Sequence, residues 1–415
     1  MNCVRIHTIT MINENNKHSW CVNAEHAMSG NNNGTTKICC MIENKGEMTL
    51  GTNTIEENFQ KIDFINIRND LQKGVRSSRC RLCWEEEDAG RKSKRLRDNE
   101  KYLGHLAKGG EPFTGLAKFE LNLGNTCNLK CRTCAPYSSS TWMQEYYDTY
   151  KHEMPHNTTF KIYAQDMKRY HQTYDDESPF WDDLEKNLHT IKQFDFYGGE
   201  PFMSKKMWKT LQLAVDKGYS KDIEVHYATN ATHWPTEQIE VLKHFRHLNL
   251  NFSIDGIGNQ FEYIRNPAIW EEAKENMFKA REFAKTHHDI HISWCHTISN
   301  MNIFYLPELL DSFYKEFSDF GIYLNLVHGP QHFNISYIPD DVKEILIPKL
   351  EAINKDYEVW QNFLPGVINF IKVGKHNPQH WAQFKKTIKI HDEYRKEDFV
   401  KTFPEWAEII GFNNE

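Results

Sequence analysis

Three thiols fall within the stretch NTCNLKCRTCAP, residues 125–136: Cys127, Cys131 and Cys134, at offsets of four and three. Soft thiolates favour zinc, copper(I) or iron–sulfur clusters. Closed four-cysteine zinc sites pair two C-x-x-C knuckles, and here one thiol is lacking. Bacterial ferredoxin runs use C-x-x-C-x-x-C with a further cysteine before proline. A [4Fe–4S] cube held by only three cysteines leaves one iron without a protein ligand. By analogy with catalytic zinc, an open metal position is what a catalytic centre requires.

A second group stands N-terminal to the first: Cys21 in WCVNA, Cys39 and Cys40 in KICCM, and Cys80 and Cys83 in RCRLCW. With Cys3 and Cys295 they make ten cysteines in 415 residues. Clustered cysteines in a large chain that opens without a secretory pattern point to metal or redox chemistry rather than disulfides. Cys21, one of Cys39 or Cys40, Cys80 and Cys83 would complete a closed four-thiolate site. Spacing alone leaves zinc and iron–sulfur as alternatives there. HEMPH (152–156) has the zinc-protease pattern, but Pro155 falls inside the turn that must align His152 with His156.

These residues need elements to position them. KFELNL (118–123), KQFDFYG (192–198), DIEVHYAT (222–229), HLNLNFSID (247–255), DIHISWCHT (289–297) and GIYLNLV (321–327) read as strands. The segments 203–217, 236–246, 268–286 and 305–319 between them read as helices. Six strands with helical crossovers predict a parallel α/β sheet, open or curled into an incomplete barrel, with chemistry at the strands' C-terminal ends. The three-thiol loop follows the first strand directly, and YGGEP (197–201) closes the second. Residues 1–116 lack βα alternation and are expected to form a separate small domain. Residues 117–330 form the α/β part, and 331–415 a helical C-terminal cap. A formal charge of -7 and the absence of an 18-residue apolar run disfavour nucleic-acid and membrane partners and predict a cytoplasmic protein. RKSKRLR (91–97) reads as a solvated helix face or a contact for a polyanion or partner.

On CxxxCxxC after the first strand and GGEP after the second, the chain resembles the radical S-adenosylmethionine (SAM) superfamily. The resemblance implies a partial (β/α)6 barrel in which Cys127, Cys131 and Cys134 hold a [4Fe–4S] cluster and SAM chelates its open iron. It implies that Gly198, Gly199, Glu200 and Pro201 bind the SAM amino group. Thr229 and Asn230 match residues that contact its methionyl or ribose part, Ser253 and Asp255 match ribose ligands, and Arg265 matches the partner of its carboxylate. Thr133 stands where an aromatic residue often packs on the adenine, so adenine contacts must come partly from elsewhere.

The N-terminal group is similar to the auxiliary-cluster ("twitch") modules of the same superfamily, here placed before the barrel. EEEDAGRKSKR (85–95), the core running from Cys127 through Trp142, and HDEYRKEDFVKTFPEW (391–406) carry that likeness. It implies a second [4Fe–4S] cluster on Cys21, Cys40, Cys80 and Cys83, with Cys40 placed ahead of Cys39. The expected activity is reductive cleavage of SAM and hydrogen abstraction from a peptide or protein residue. A nucleotide, sugar or small-metabolite substrate, and a non-catalytic cluster protein, are the alternatives. Expected partners are SAM, a flavodoxin- or ferredoxin-like electron donor, and the substrate. Cys295 shares an alternating strand face with Ser293 and Thr297, and is the candidate hydrogen donor.

Overall fold

The structure is a computed structural model that describes residues 12–42, 48–88, 92–287 and 289–412. Cys3 and Ala89, Gly90 and Arg91 of the EEEDAGRKSKR run lie outside the described residues.

Among the described residues, eight strands form one sheet: β1 Ala27–Gly30, β2 Thr36–Lys37, β3 Lys118–Asn122, β4 Gln193–Tyr197, β5 Glu224–Thr229, β6 His247–Ser253, β7 Ile290–Ile298 and β8 Gly321–Leu326. Their order is β2-β1-β3-β4-β5-β6-β7-β8, so β2 and β8 are the terminal strands. The pairs β1/β3, β3/β4, β4/β5 and β7/β8 are parallel, and β1/β2 is antiparallel. This is an open, mostly parallel α/β sheet followed by a helical C-terminal region. It has two strands more than the six read from the sequence. β1 pairs with β3 from Ala27↔Lys118 to Gly30↔Leu121. Its sequence, AMSG, is short and has no β-branched residue, so it carries little strand signal.

Two compact units interleave along the chain. The first comprises Met1–Thr126, Met167–Tyr227 and Glu240–Leu248. Its helices include α1 Val22–His26, α2 Arg81–Asp88, α3 Lys94–Ala107, α4 Pro179–Asn187 and α5 Lys205–Asp216. Phe119, Leu121, Phe194, Phe196, Val225 and Tyr227 are all buried on one face of β3–β5. Phe180 of α4 meets Phe119, and Trp208 of α5 meets Tyr227. Each such ring contributes on the order of 2 kcal/mol by burial.

The opposite face of these strands is charged yet buried, at Lys118, Glu120 and Asp195. Buried charges need partners. Lys118 Nζ lies 3.3 Å from Asp195 and 3.2 Å from Asp98 of α3, while Lys94 of α3 lies 3.2 Å from Glu120. RKSKRLR is therefore not a solvated helix face, because Lys94 turns to Glu120 and Arg95 is buried.

The second unit comprises Cys127–Asp166, Ala228–Ile239 and Asn249–Glu415. It includes α6 Asn259–Ile264, α7 Trp270–Ala284, α8 Leu306–Glu316 and α9 Pro378–Arg395. Trp294 of β7 is fully buried against Trp270 of α7 and Phe313 of α8. C-terminal to α9, Phe399, Phe403 and Trp406 are also fully buried. Among the described residues, no helix is long and apolar enough to cross a membrane.

Candidate active site and second cysteine group

The three-thiol loop is shaped by its own backbone and by the end of α6 with the residues that follow it. Lys130 N donates to Asn266 O at 2.7 Å, and Arg132 N to Ile264 O at 2.8 Å. Cys134 N donates to Cys131 O at 2.9 Å, which brings the last two thiols together. Cys134 S–H bonds to the Cys131 sulfur, lowering the Cys131 pKa from its ordinary value, and the nearby Arg265 adds to that effect. The same hydrogen bond, together with burial, raises the Cys134 thiol. Cys127 Sγ accepts from Leu129 N at 3.4 Å. Trp142 is buried, and its Nε1 donates to Cys131 O at 2.9 Å.

Four of the five residues predicted from the later strand ends lie in this unit's buried polar interior. Arg265 pairs with Asp255, Nη2 to Oδ2 at 2.7 Å, and its Nη1 approaches Cys131 Sγ at 3.9 Å. Its Nε is buried with no protein partner. Burial works to lower the Arg265 pKa, but the Asp255 carboxylate and the adjacent thiols outweigh it and raise it. Asp255 Oδ1 also accepts from Thr297 N at 2.9 Å. Asn230 Nδ2 reaches Asn128 Oδ1 at 2.9 Å and Cys127 Sγ at 3.8 Å. Thr229 is buried at the end of β5. Ser253 is half-buried on β6, two residues before Asp255.

Cys295 is half-buried on β7, level with Tyr323 of β8 and on the face of Ser293 and Thr297. Burial, and after it the Asp255 carboxylate, push its thiol up to about 11.

In the other unit, Gly198 and Gly199 have φ of +78° and +48°. A Cβ at Gly199 would lie 2.2 Å from Thr126 O, and one at Gly198 would lie 1.6 Å from Asn122 Oδ1. Glycine is therefore required at both positions. Glu200 N donates to Thr126 O at 2.8 Å, tying this turn to the residue before Cys127. The buried Glu200 carboxylate accepts from Phe202 N at 3.1 Å, and Pro201 starts the short helical turn that follows. Asn122 Oδ1 is buried without a protein donor.

The same unit holds the second cysteine group. Cys21 is buried just before α1, Cys80 closes the helical turn Ser78–Cys80, and Cys83 is buried in α2. Burial raises all three thiols, Cys21 and Cys80 to about 12. Cys21 interacts electrostatically with Cys80 and Cys83, and Cys39 with Cys40, Glu120 and, more weakly, Cys21. Cys40 alone of this adjacent pair has a hydrogen bond to Glu120 from its sulfur, Sγ 3.6 Å from Oε1. Burial and then that carboxylate push Cys40 up to about 12. Among the described residues, no three His, Cys, Asp or Glu side chains converge as they stand on a single-ion site.

Sequence reasoning missed Asn122 at the end of β3 and Asn128 in the loop after it, and also Arg132 and Arg395. Their signal is tertiary: each is an ordinary polar residue until the fold supplies its partner. HEMPH forms no zinc helix, because the helical turn ends at Glu153 and Met154 is extended.

Residues 121–294 match the family model described as Radical SAM superfamily. Among solved structures, Streptococcus suis SuiB bound to S-adenosylmethionine aligns with TM-score 0.35 and 11% identity, over 74% of this chain and 64% of that one. Streptococcus suis SuiB bound to precursor peptide SuiA aligns with TM-score 0.30 and 11% identity, over 75% and 56% respectively. The chain therefore spans less than two thirds of the length of these SuiB chains. No curated protein matches it.

Proposed function

Residues 121–294 are a radical SAM domain, and from that premise we propose that the chain is an enzyme that reductively cleaves S-adenosylmethionine and abstracts hydrogen from a substrate. Cys127, Cys131 and Cys134 would hold the [4Fe–4S] cluster. When bound, the cluster supplies the electron that cleaves SAM to methionine and a 5′-deoxyadenosyl radical.

One observation carries the reading. Arg265 stands 3.9 Å from the Cys131 sulfur and still has a buried N–H without a protein partner. Such a group costs about 1–3 kcal/mol unless a ligand satisfies it. An anionic group such as the SAM carboxylate fits it, with Asp255 holding the guanidinium in place. In the other unit, the buried Asn122 Oδ1 beside Gly198 is an orphan acceptor that suits an ammonium. Gly198 and Gly199 leave room for close backbone approach, and Glu200 and Pro201 fix the turn that follows. Asn230 would orient Cys127, and Thr229, Ser253 and Asp255 are the remaining candidates for contacts to SAM.

We infer that the substrate is a peptide or protein residue and that the N-terminal cysteine group holds a second [4Fe–4S] cluster. Both rest on the resemblance of that group to auxiliary-cluster modules. Cys295 is the candidate hydrogen donor, a flavodoxin or ferredoxin the candidate reductant, and the cytoplasm the expected location.

The test is anaerobic reconstitution followed by dithionite and SAM. 5′-Deoxyadenosine should form in the wild type and not in Cys127→Ala. A wild type with an intact cluster that makes none under any condition would overturn the enzyme reading.

A further inference from the structure

Two adjacent thiols, Cys39 and Cys40, compete for one place in the second cysteine group. We propose that Cys39 is the fourth thiolate beside Cys21, Cys80 and Cys83, and that Glu120 withholds Cys40 and so aims its neighbour. This rests on the reading that the group holds a cluster.

One arginine ties together the segments that carry three of the thiols. Cys80 and Cys83 are three residues apart across a continuous helical run, so they share a face. Glu87, one helical turn beyond Cys83, grips Arg95 at 2.6 and 3.0 Å. Arg95 Nη1 donates to Trp20 O at 2.8 Å, immediately before Cys21. Asn99 fastens the other side, taking Trp20 O and Val22 N, each at 2.8 Å. Cys21 is thus held between two anchored neighbours, within electrostatic reach of Cys80 and Cys83.

The hairpin supplies the fourth. β1 leads away from α1, and β2 returns antiparallel to it, pairing Gly30 with Thr36 and Ser29 with Lys37. Cys39 follows two residues after β2, at the end of the hairpin from which β1 starts, and is within electrostatic reach of Cys40 and Glu120 and, more weakly, of Cys21.

Cys40 is otherwise engaged. Its backbone N donates to Glu120 Oε2 at 2.8 Å, and its thiol donates to Oε1 at 3.6 Å. Glu120 is itself fixed by Lys94 at 3.2 Å and Lys118 at 3.6 Å. One buried carboxylate therefore holds both the main chain and the sulfur of Cys40 on the β3 side. Glu120 is a positioning residue for Cys39.

Iron and sulfide are counted on full-length, anaerobically reconstituted wild type, Cys39→Ser and Cys40→Ser. With two [4Fe–4S] clusters the wild type carries roughly eight irons per chain, Cys39→Ser about four, and Cys40→Ser about eight. The irons at 127–134 that both variants retain report that the chain has folded. Loss from Cys40→Ser, alone or together with Cys39→Ser, overturns the assignment, as does a Cys39→Ser that keeps all its iron. A wild type with only about four irons, unchanged in Cys80→Ser, overturns the cluster reading itself and is recognisable as that separate failure.

Discussion

Arg132, two residues before Cys134, is pinned to Asp392 of α9, Nη2 to Oδ1 at 2.6 Å. Glu397 takes the same nitrogen at 2.5 Å, and Tyr263 OH donates to Asp392 Oδ1 at 2.6 Å. The Arg132 side chain is fully shielded and stacks 3.6 Å from the Tyr263 ring centroid. A second clamp lies alongside: Arg395 donates to Glu145 at 2.7 Å and to Lys130 O at 2.8 Å. The C-terminal segment therefore grips the cysteine loop at Lys130 and Arg132, on either side of Cys131.

Removing one partner of such a buried pair leaves an uncompensated charge. Asp392→Ala should lower stability by about 3 kcal/mol, and Glu397→Ala by less, because Asp392 still faces Arg132. Thermal unfolding would measure both. The loop-specific consequence is a changed electron paramagnetic resonance spectrum of the reduced cluster in Asp392→Ala. An unaltered spectrum and melting temperature would show that the clamp does not hold the loop.

His391 sets an acid limit on the same region. It packs against Trp142, with ring centroids 5.1 Å apart. Burial first, and then the charges of Arg132, Arg395, His332 and Lys130, hold its pKa down at about 2. Below the unfolded value of about 6.5, the unfolded chain takes up a proton that the native state refuses. Stability therefore falls with decreasing pH from there downward, at up to about 1.4 kcal/mol per pH unit for this group. His332, lowered to about 4, and His296 and His226, also lowered by burial, act in the same direction. In denaturant melts between pH 6.5 and 4.5, His391→Gln should show a shallower slope than wild type; an equal slope would refute this account.

Much of this was legible in the sequence, for definite reasons. The core strands of the sheet announce themselves by alternation such as Phe194-Asp195-Phe196, and the three thiols and YGGEP follow β3 and β4 directly. Local order did not reveal β1, whose four residues gain strand character only by pairing with β3. Nor could the sequence show that Lys94 turns inward, since its reason is Glu120, a residue on another element. Adjacent residues such as Cys39 and Cys40 differ in what they face, as the hydrogen bonds from Cys40 to Glu120 illustrate.

The glycine turn after β4 makes a steric prediction. Gly199→Ala would drive a Cβ to 2.2 Å from the Thr126 carbonyl oxygen, on backbone that L-residues rarely adopt. Strain of about 1–3 kcal/mol, relieved only by displacing the turn, should weaken SAM binding roughly tenfold or more. Equilibrium titration with SAM on the reconstituted protein measures this directly. Gly218→Ala, also at positive φ but with nothing within 4 Å of a new Cβ, is the control for backbone strain without the clash. Equal affinities in the two variants would detach the turn from SAM.

The proposed hydrogen donor, Cys295, allows a test that separates hydrogen donation from radical generation. A core cysteine would be sealed by its neighbours, whereas this one is half-buried, on the face where Tyr323 opposite it is exposed. A thiol that gives a hydrogen atom to a substrate radical becomes a thiyl, which one electron from the external reductant and one solvent proton restore. Cys295→Ala should therefore still form 5′-deoxyadenosine with SAM and dithionite. It should lose the deuterium that wild type places in the product when turnover runs in heavy water. Mass spectrometry of the product reads the difference, and equal deuterium in both would return Cys295 to a packing role. Because its raised thiol stays protonated up to about pH 11, deuterium incorporation should be insensitive to pH between 6 and 9.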